Sequence, residues 1–270
     1  LIHAGPTRRF VRLGAASGGA PALDADAVTL IAAMTVPPDA TRQGFINTLI
    51  IDLKAAGVWT KLDILYVMAA HSEQAARLNW KAPGTFTQVN GGTAPTFTTD
   101  RGFTGDGISG RLDTTWIPNT HGVNYLQNDA SYWVWIVVNA VASTFEIGNV
   151  TAPANRMLVR SGANGANGII NDATNTAMVG SGITDCRGLW GMQRPSAAIK
   201  KLWQNGVQIG ADAAVTSTGR PTQSQWLLGA NSANFSGRQE AFGAWGASLA
   251  GLEMAFNTPV NAYMTAVGAA

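Results

Sequence analysis

The sequence predicts a mainly β protein: a two-sheet sandwich preceded by a small α-helical block. Three observations carry that prediction. Apolar residues recur at helical spacing through residues 22–80 and at strand spacing from about residue 81 onward. The run YWVWIVV at 132–138 is apolar on both phases, as expected of a central strand covered on both faces. At 199–210, IKKLWQNGVQIG, two β runs meet at Asn205-Gly206, the strongest short hairpin signal. The expected division is an extended arm over 1–21, a helical block over 22–80, and a sandwich with a short C-terminal helix over 81–270.

Composition narrows the class further. At 270 residues the chain is long enough for a full core, as one large β domain or two small ones. Only 13% of residues are charged, which suits a turn-rich sandwich and argues against a disordered chain. The net charge is +2 with scattered Lys and Arg, so no basic stripe marks nucleic acid as a partner. No apolar run approaches the roughly 20 residues of a membrane span. The single cysteine, Cys186, sits in a strand-like run and is expected as a small buried hydrophobe. The first twenty residues lack a continuous apolar core, so a secretory signal is not expected there.

In chain order, the arm gathers Arg8, Arg9 and Arg12 around Phe10, Val11 and Leu13 and closes at Gly18-Gly19. A disordered tail and an arm docking on a neighbouring subunit both fit it. Asp24 caps a first helix with Ala27, Leu30, Ile31 and Met34 on one face. Asp39 caps a second, with Phe45, Ile46, Leu49, Ile50 and Leu53 as its stripe and Gly57 as its stop. Thr60 and Asp63 read as a capping pair before Leu62, Leu65 and Tyr66. The stretch 95–115, PTFTTDRGFTGDGISGRLDTT, reads as two strands joined at Gly105-Asp106-Gly107. Further strands are expected at 84–89, 144–150, 157–161, 168–171, 177–180 and 187–193. The Gly-every-third-residue segment 162–168 reads as an inter-strand loop. A last helix runs past Glu253, kinked or restarted at Pro259.

This order of pieces resembles the concanavalin A-like, laminin-G-like jelly roll over roughly residues 84–270. Four pieces are more narrowly similar to bacteriophage and prophage virion proteins that carry such a domain: KLDILY at 61–66, AARLNWK at 75–81, FTTDRGFTGDG at 97–107 and YMTAVG at 263–268. The resemblance implies a non-enzymatic virion structural protein: a spike, fibre or decoration element. Its implied partners are other virion proteins, further copies of itself and a host surface glycan. Two rivals stay open: a polysaccharide-degrading enzyme of the jelly-roll glucanase type, and a purely structural capsid or tail joint.

The residues themselves test for chemistry. A glycosidase needs two carboxylates flanking the scissile bond. The chain has four Glu, at 73, 146, 240 and 253, and the strand around Glu146 has Gly148 and Val150 where further acids would stand. No catalytic residue is therefore expected. The three His are scattered and no nucleophile elbow is present. No cofactor and no metal is assigned, although Asp100, Asp106, Asp113 and Asp129 leave calcium open as an alternative to plain turn formation. For a glycan, the aromatic- and amide-rich loop 116–129 supplies the candidates Trp116, His121, Asn124, Tyr125 and Asp129. The competing reading has both rings closing the end of the sandwich.

Overall fold

The computed structural model describes residues 22–140, 144–159, 165–173, 182–230 and 234–270. The fold is mainly β, as the sequence predicts. Helices α1 (Ala25–Ala32) and α2 (Ala40–Ala55) come first, capped by the carboxylates of Asp24 and Asp39. Strand β1 (Leu62–Val67) and the short helix α3 (Glu73–Ala76) follow. Strands β2 (Val89–Gly91), β3 (Thr96–Thr98), β4 (Gly102–Thr104) and β5 (Arg111–Asp113) lead to the short helix α4 (Pro118–His121). Then come β6 (Ala130–Ile136), β7 (Phe145–Asn149), β8 (Ala154–Val159), β9 (Ala166–Asp172) and β10 (Gly188–Arg194). Strands β11 (Ile199–Gln204), β12 (Val207–Ala214), β13 (Trp226–Leu227) and β14 (Gln239–Gly246) precede helix α5 (Glu253–Val267).

The strands form two antiparallel sheets. The larger runs β12-β11-β10-β6-β14-β4-β3, with β1 added on β14; the smaller runs β2-β5-β13-β7-β8-β9. Strand β6 lies between β10 and β14 and is buried along its whole length. Its two apolar phases have two destinations. Tyr132 crosses to the smaller sheet, where its hydroxyl donates toward the carbonyls of Arg156 and Ile169. Trp133 points the other way and meets Phe256 of α5 edge-on, ring centroids 5.3 Å apart. Helix α5 thus covers the outer face of the larger sheet, and α2 packs on α5. The Asn205-Gly206 hairpin forms as expected, both residues at positive φ. Cys186 is buried.

Five expectations are corrected. Residues 62–67 are not a helix but β1, in register with β14 from Leu62–Gly246 to Val67–Phe242. Pairing with a strand remote in sequence overrides the local capping pattern, and Asp63 instead accepts backbone N–H groups of Val123, Asn124 and Tyr125. The stretch 95–115 is not one hairpin: β3 and β4 pair in the larger sheet, while β5 belongs to the smaller. Asp106 explains the crossing, because its carboxylate takes the N–H groups of Ile108, Ser109 and Gly110 and fixes a loop between sheets. Of residues 84–89 only Val89 enters a strand. Helix α5 runs through Pro259 without restarting. Within the segment 162–168, expected as a loop, residues 166–168 instead belong to β9, paired with β8. The arm, the expected strand at 177–180 and residues 162–164 lie outside the described residues.

Candidate functional site

The loop 116–129 divides. Trp116 is 1% exposed and Tyr125 0%. The two rings meet edge-on at 5.7 Å, and Trp116 packs on Trp245 of β14. The Tyr125 hydroxyl donates to Asn155 and Asn171, and burial pushes it far above its ordinary range. Neither ring offers a face to a ligand. His121 uses its Nδ1 to accept the Ile117 N–H and lies against Phe86. Asn124 and Tyr125 are tied to Asp63, and Asp129 accepts the Ser248 N–H. The loop is held by the residues expected to hold a sugar.

The four candidate calcium aspartates do not converge. Asp100 pairs with Arg42, Asp106 caps its own loop, Asp113 accepts from Thr115 and Ser224, and Asp129 faces Ser248. Among the described residues no group of three acids, His or Cys stands close enough for a metal ion.

The glutamates, by contrast, do converge. Glu146 sits at a bulge in β7 and Glu240 at a bulge in β14. A bulge adds a residue and re-aims the side chain, so both carboxyls turn between the sheets. Both are fully buried. Glu146 accepts from Arg238 Nη1 at 2.9 Å and from the Ser236 hydroxyl at 2.7 Å. Glu240 accepts the Leu228 N–H and makes hydrogen-bond contact with Glu146. Burial pushes Glu146 up to about 7 against the pull of Arg238; burial and the neighbouring Glu146 push Glu240 well above the usual carboxylate range. Glu240 therefore holds a proton and shares it with Glu146. Strict strand alternation places neither residue inward, which is why the sequence hides the pair.

The other glutamates have ordinary roles. Glu73 pairs with Arg77, the residue that closes α3, and Glu253 accepts from Gln193.

An open cleft lies at the β10–β11 end. It is a hollow of about 400 Å³ lined by Thr184, Asp185, Gln204, Asn205, Val207 and Ile209. A neighbouring hollow of about 280 Å³ shares Asp185 and Asn205 and adds Trp135, Arg187 and Asn261. Its chemistry follows from one anchored residue. Cys186 is buried, takes its N–H to Asn139, and receives the Trp190 indole N–H on its carbonyl. Asp185 and Arg187 on either side are thereby turned outward. Arg187 Nη2 lies 2.7 Å from Asp185 Oδ2 and holds that carboxylate below its ordinary range. Asn205 is fixed by accepting the Leu189 N–H at 2.8 Å. A carboxylate, a guanidinium and three amides thus line one surface, the arrangement that fixes hydroxyl groups. The alternation of polar residues about Cys186 is the signal the sequence offers for it.

No protein-family model and no curated protein sequence matches the chain. Solved structures do. Trypanosoma rangeli sialidase in complex with 2,3-difluoro-KDN matches at 7% identity and TM-score 0.52, over 82% of this chain and 39% of that one. The same sialidase in complex with sialic acid matches at 8% identity and TM-score 0.51, again over 82% and 39%. The botulinum neurotoxin serotype D binding domain matches at 10% identity and TM-score 0.51, over 78% of this chain and 52% of that one. The chain has their β-sandwich fold and spans well under two thirds of either protein. This likeness corrects the expectation of a non-enzyme, because the shared fold is one that sialidases use.

Proposed function

We propose that the chain is a glycan-binding β-sandwich, working as a surface element of a phage or prophage virion. The observation that carries the binding reading is the open cleft, where Asp185, Arg187, Asn205 and Asn261 stand at one surface beside Trp135. The sialic acid-bound sialidase and the toxin binding domain support it at the level of fold. What supports the virion setting is the resemblance of the four sequence pieces at 61–66, 75–81, 97–107 and 263–268. In that setting the helical block or the arm meets other virion proteins and further copies of the chain. The test is an array of bacterial surface glycans probed with the purified protein. At least one glycan is expected to bind, and Asp185→Ala with Asn261→Ala is expected to abolish that binding without moving the melting temperature. An empty array, or a double variant that binds like the parent, would remove the cleft from consideration.

Hydrolysis is a second reading, and one observation favours it. Glu146 and Glu240 form a carboxyl pair with one member near neutrality, as acid–base catalysis requires. Both are sealed between the sheets, so binding stands first. Shortened polysaccharide chains on incubation, absent with Glu146→Gln, would reverse that order.

A further inference from the structure

Helices α2 and α5 leave an open hollow between them on their solvent side. Phe45, Leu49 and Asp52 form one wall, and Pro259, Ala262 and Ala266 the other. Spacings of three and four set each trio on one face of its helix. Ala262 and Ala266 are exposed and too small to fill the gap. Tyr263 also lines it but is held back: its hydroxyl donates to the Ala69 carbonyl at 3.2 Å and its ring meets Trp80 edge-on at 5.9 Å. The hollow measures about 150 Å³, a size that takes a benzene ring.

One charge stands on the walls of this hollow. Asp52 is exposed, and among the described residues it forms no ion pair. Asp24 and Asp26, by contrast, both hold Lys54 of the same helix. The hollow therefore suits an apolar side chain with a cation beside it.

The chain itself supplies such a segment. Residues 8–13 read RRFVRL, with Phe10 next to Arg9 and two residues from Arg12. They precede α1, and the start of α1 is tied to α2: the Asp24 N–H donates to Asn47 at 2.6 Å, and the Asp24 carboxylate pairs with Lys54 at 2.6 Å. The hollow lies on that same helix, which is about 10 Å thick. Residues 14–21 can span up to about 26 Å, enough to pass around it. A tethered segment meets the hollow at an effective concentration near the millimolar range, which favours it over a separate molecule.

We propose that residues 8–13 dock in this hollow on their own chain. Phe10 fills the gap between α2 and the two alanines of α5, and an arginine beside it takes Asp52. The contact clips the arm across the helix pair. It does not rest on the glycan reading.

Limited trypsin digestion of the full chain, followed by mass spectrometry, tests the docking. Cleavage after Arg9 and Arg12 is expected to be slow in the parent. Ala262→Arg fills the hollow and repels the arm, so it should speed that cleavage by roughly tenfold or more without moving the melting temperature. Asp52→Asn should speed it by roughly threefold, the usual weight of an exposed ion pair. Should Ala262→Arg fail to fold, Ala266→Arg makes the same test. Cross-linking identifies the occupant, since the native Cys186 is buried and does not compete. Val11→Cys should form a disulfide with Thr48→Cys at the rim of the hollow, within a monomer, and not with Met254→Cys elsewhere on α5. The proposal falls if the parent arm is cut as fast as that of the folded variants, or if both cysteine positions cross-link equally. It falls also if the cross-linked product is a dimer, which would give the hollow to the arm of a second copy.

Discussion

Two acid–arginine pairs in this molecule have the same chemistry and opposite fates. Asp185 and Arg187 meet at 2.7 Å with both side chains substantially exposed, and the carboxylate is held below its ordinary range. Glu146 and Arg238 meet at 2.9 Å with both buried, and the carboxyl is pushed up to about 7. The difference is water. At the surface the arginine's attraction decides the protonation state; between the sheets the lost hydration outweighs the attraction of Arg238 and the hydrogen bonds from Ser236 and Glu240. The exposed pair is available to a ligand and matters little to folding. The buried pair ties one sheet to the other and responds to pH.

The largest effect should come from breaking the buried pair. Arg238→Ala leaves Glu146 without its cation and is expected to cost about 3–5 kcal/mol in urea unfolding. An unchanged midpoint would mean that the pair contributes nothing to holding the sheets. A smaller effect concerns pH. The folded value of Glu146, about 7, lies above its ordinary 4.5. Its contribution to stability is therefore fully present below about pH 4.5 and is lost as pH rises through about 7. Melting temperature should fall between about pH 5 and pH 8. Glu240→Gln keeps the shape and removes a second carboxyl that burial raises well above its ordinary range, so it should flatten that decline; an equally steep decline would assign the pH response to other groups. The smallest effect belongs to the exposed pair: Asp185→Ala should leave the melting temperature where it is while weakening glycan binding at the cleft. A clear loss of stability would erase the contrast between the two pairs.

The sequence reveals whatever regular alternation or capping can reveal. Strand β6, the Asn205-Gly206 hairpin, both capped helices and the buried Cys186 are all legible, because each is encoded by neighbours in the chain. Strand β1 is not, since its partner lies near the other end of the chain. The Glu146–Glu240 pair is hidden by two bulges, which reverse the facing that alternation assigns. Trp116 and Tyr125 stand out by residue type, and type alone does not tell a ring that meets a ligand from one that closes a core. The cleft joins Asp185 and Asn205 to Asn261 of α5, and no local pattern links them.

Strand β14 receives β1 along its second half and β4 along its first, with β6 on the other side. The first strand of the described chain is therefore matched to the last. During synthesis Leu62–Val67 emerges early and has no partner until Phe242–Gly246 follows it. The larger sheet cannot close until β14 has been made, nor can α5 dock over it until residues 253–267 follow.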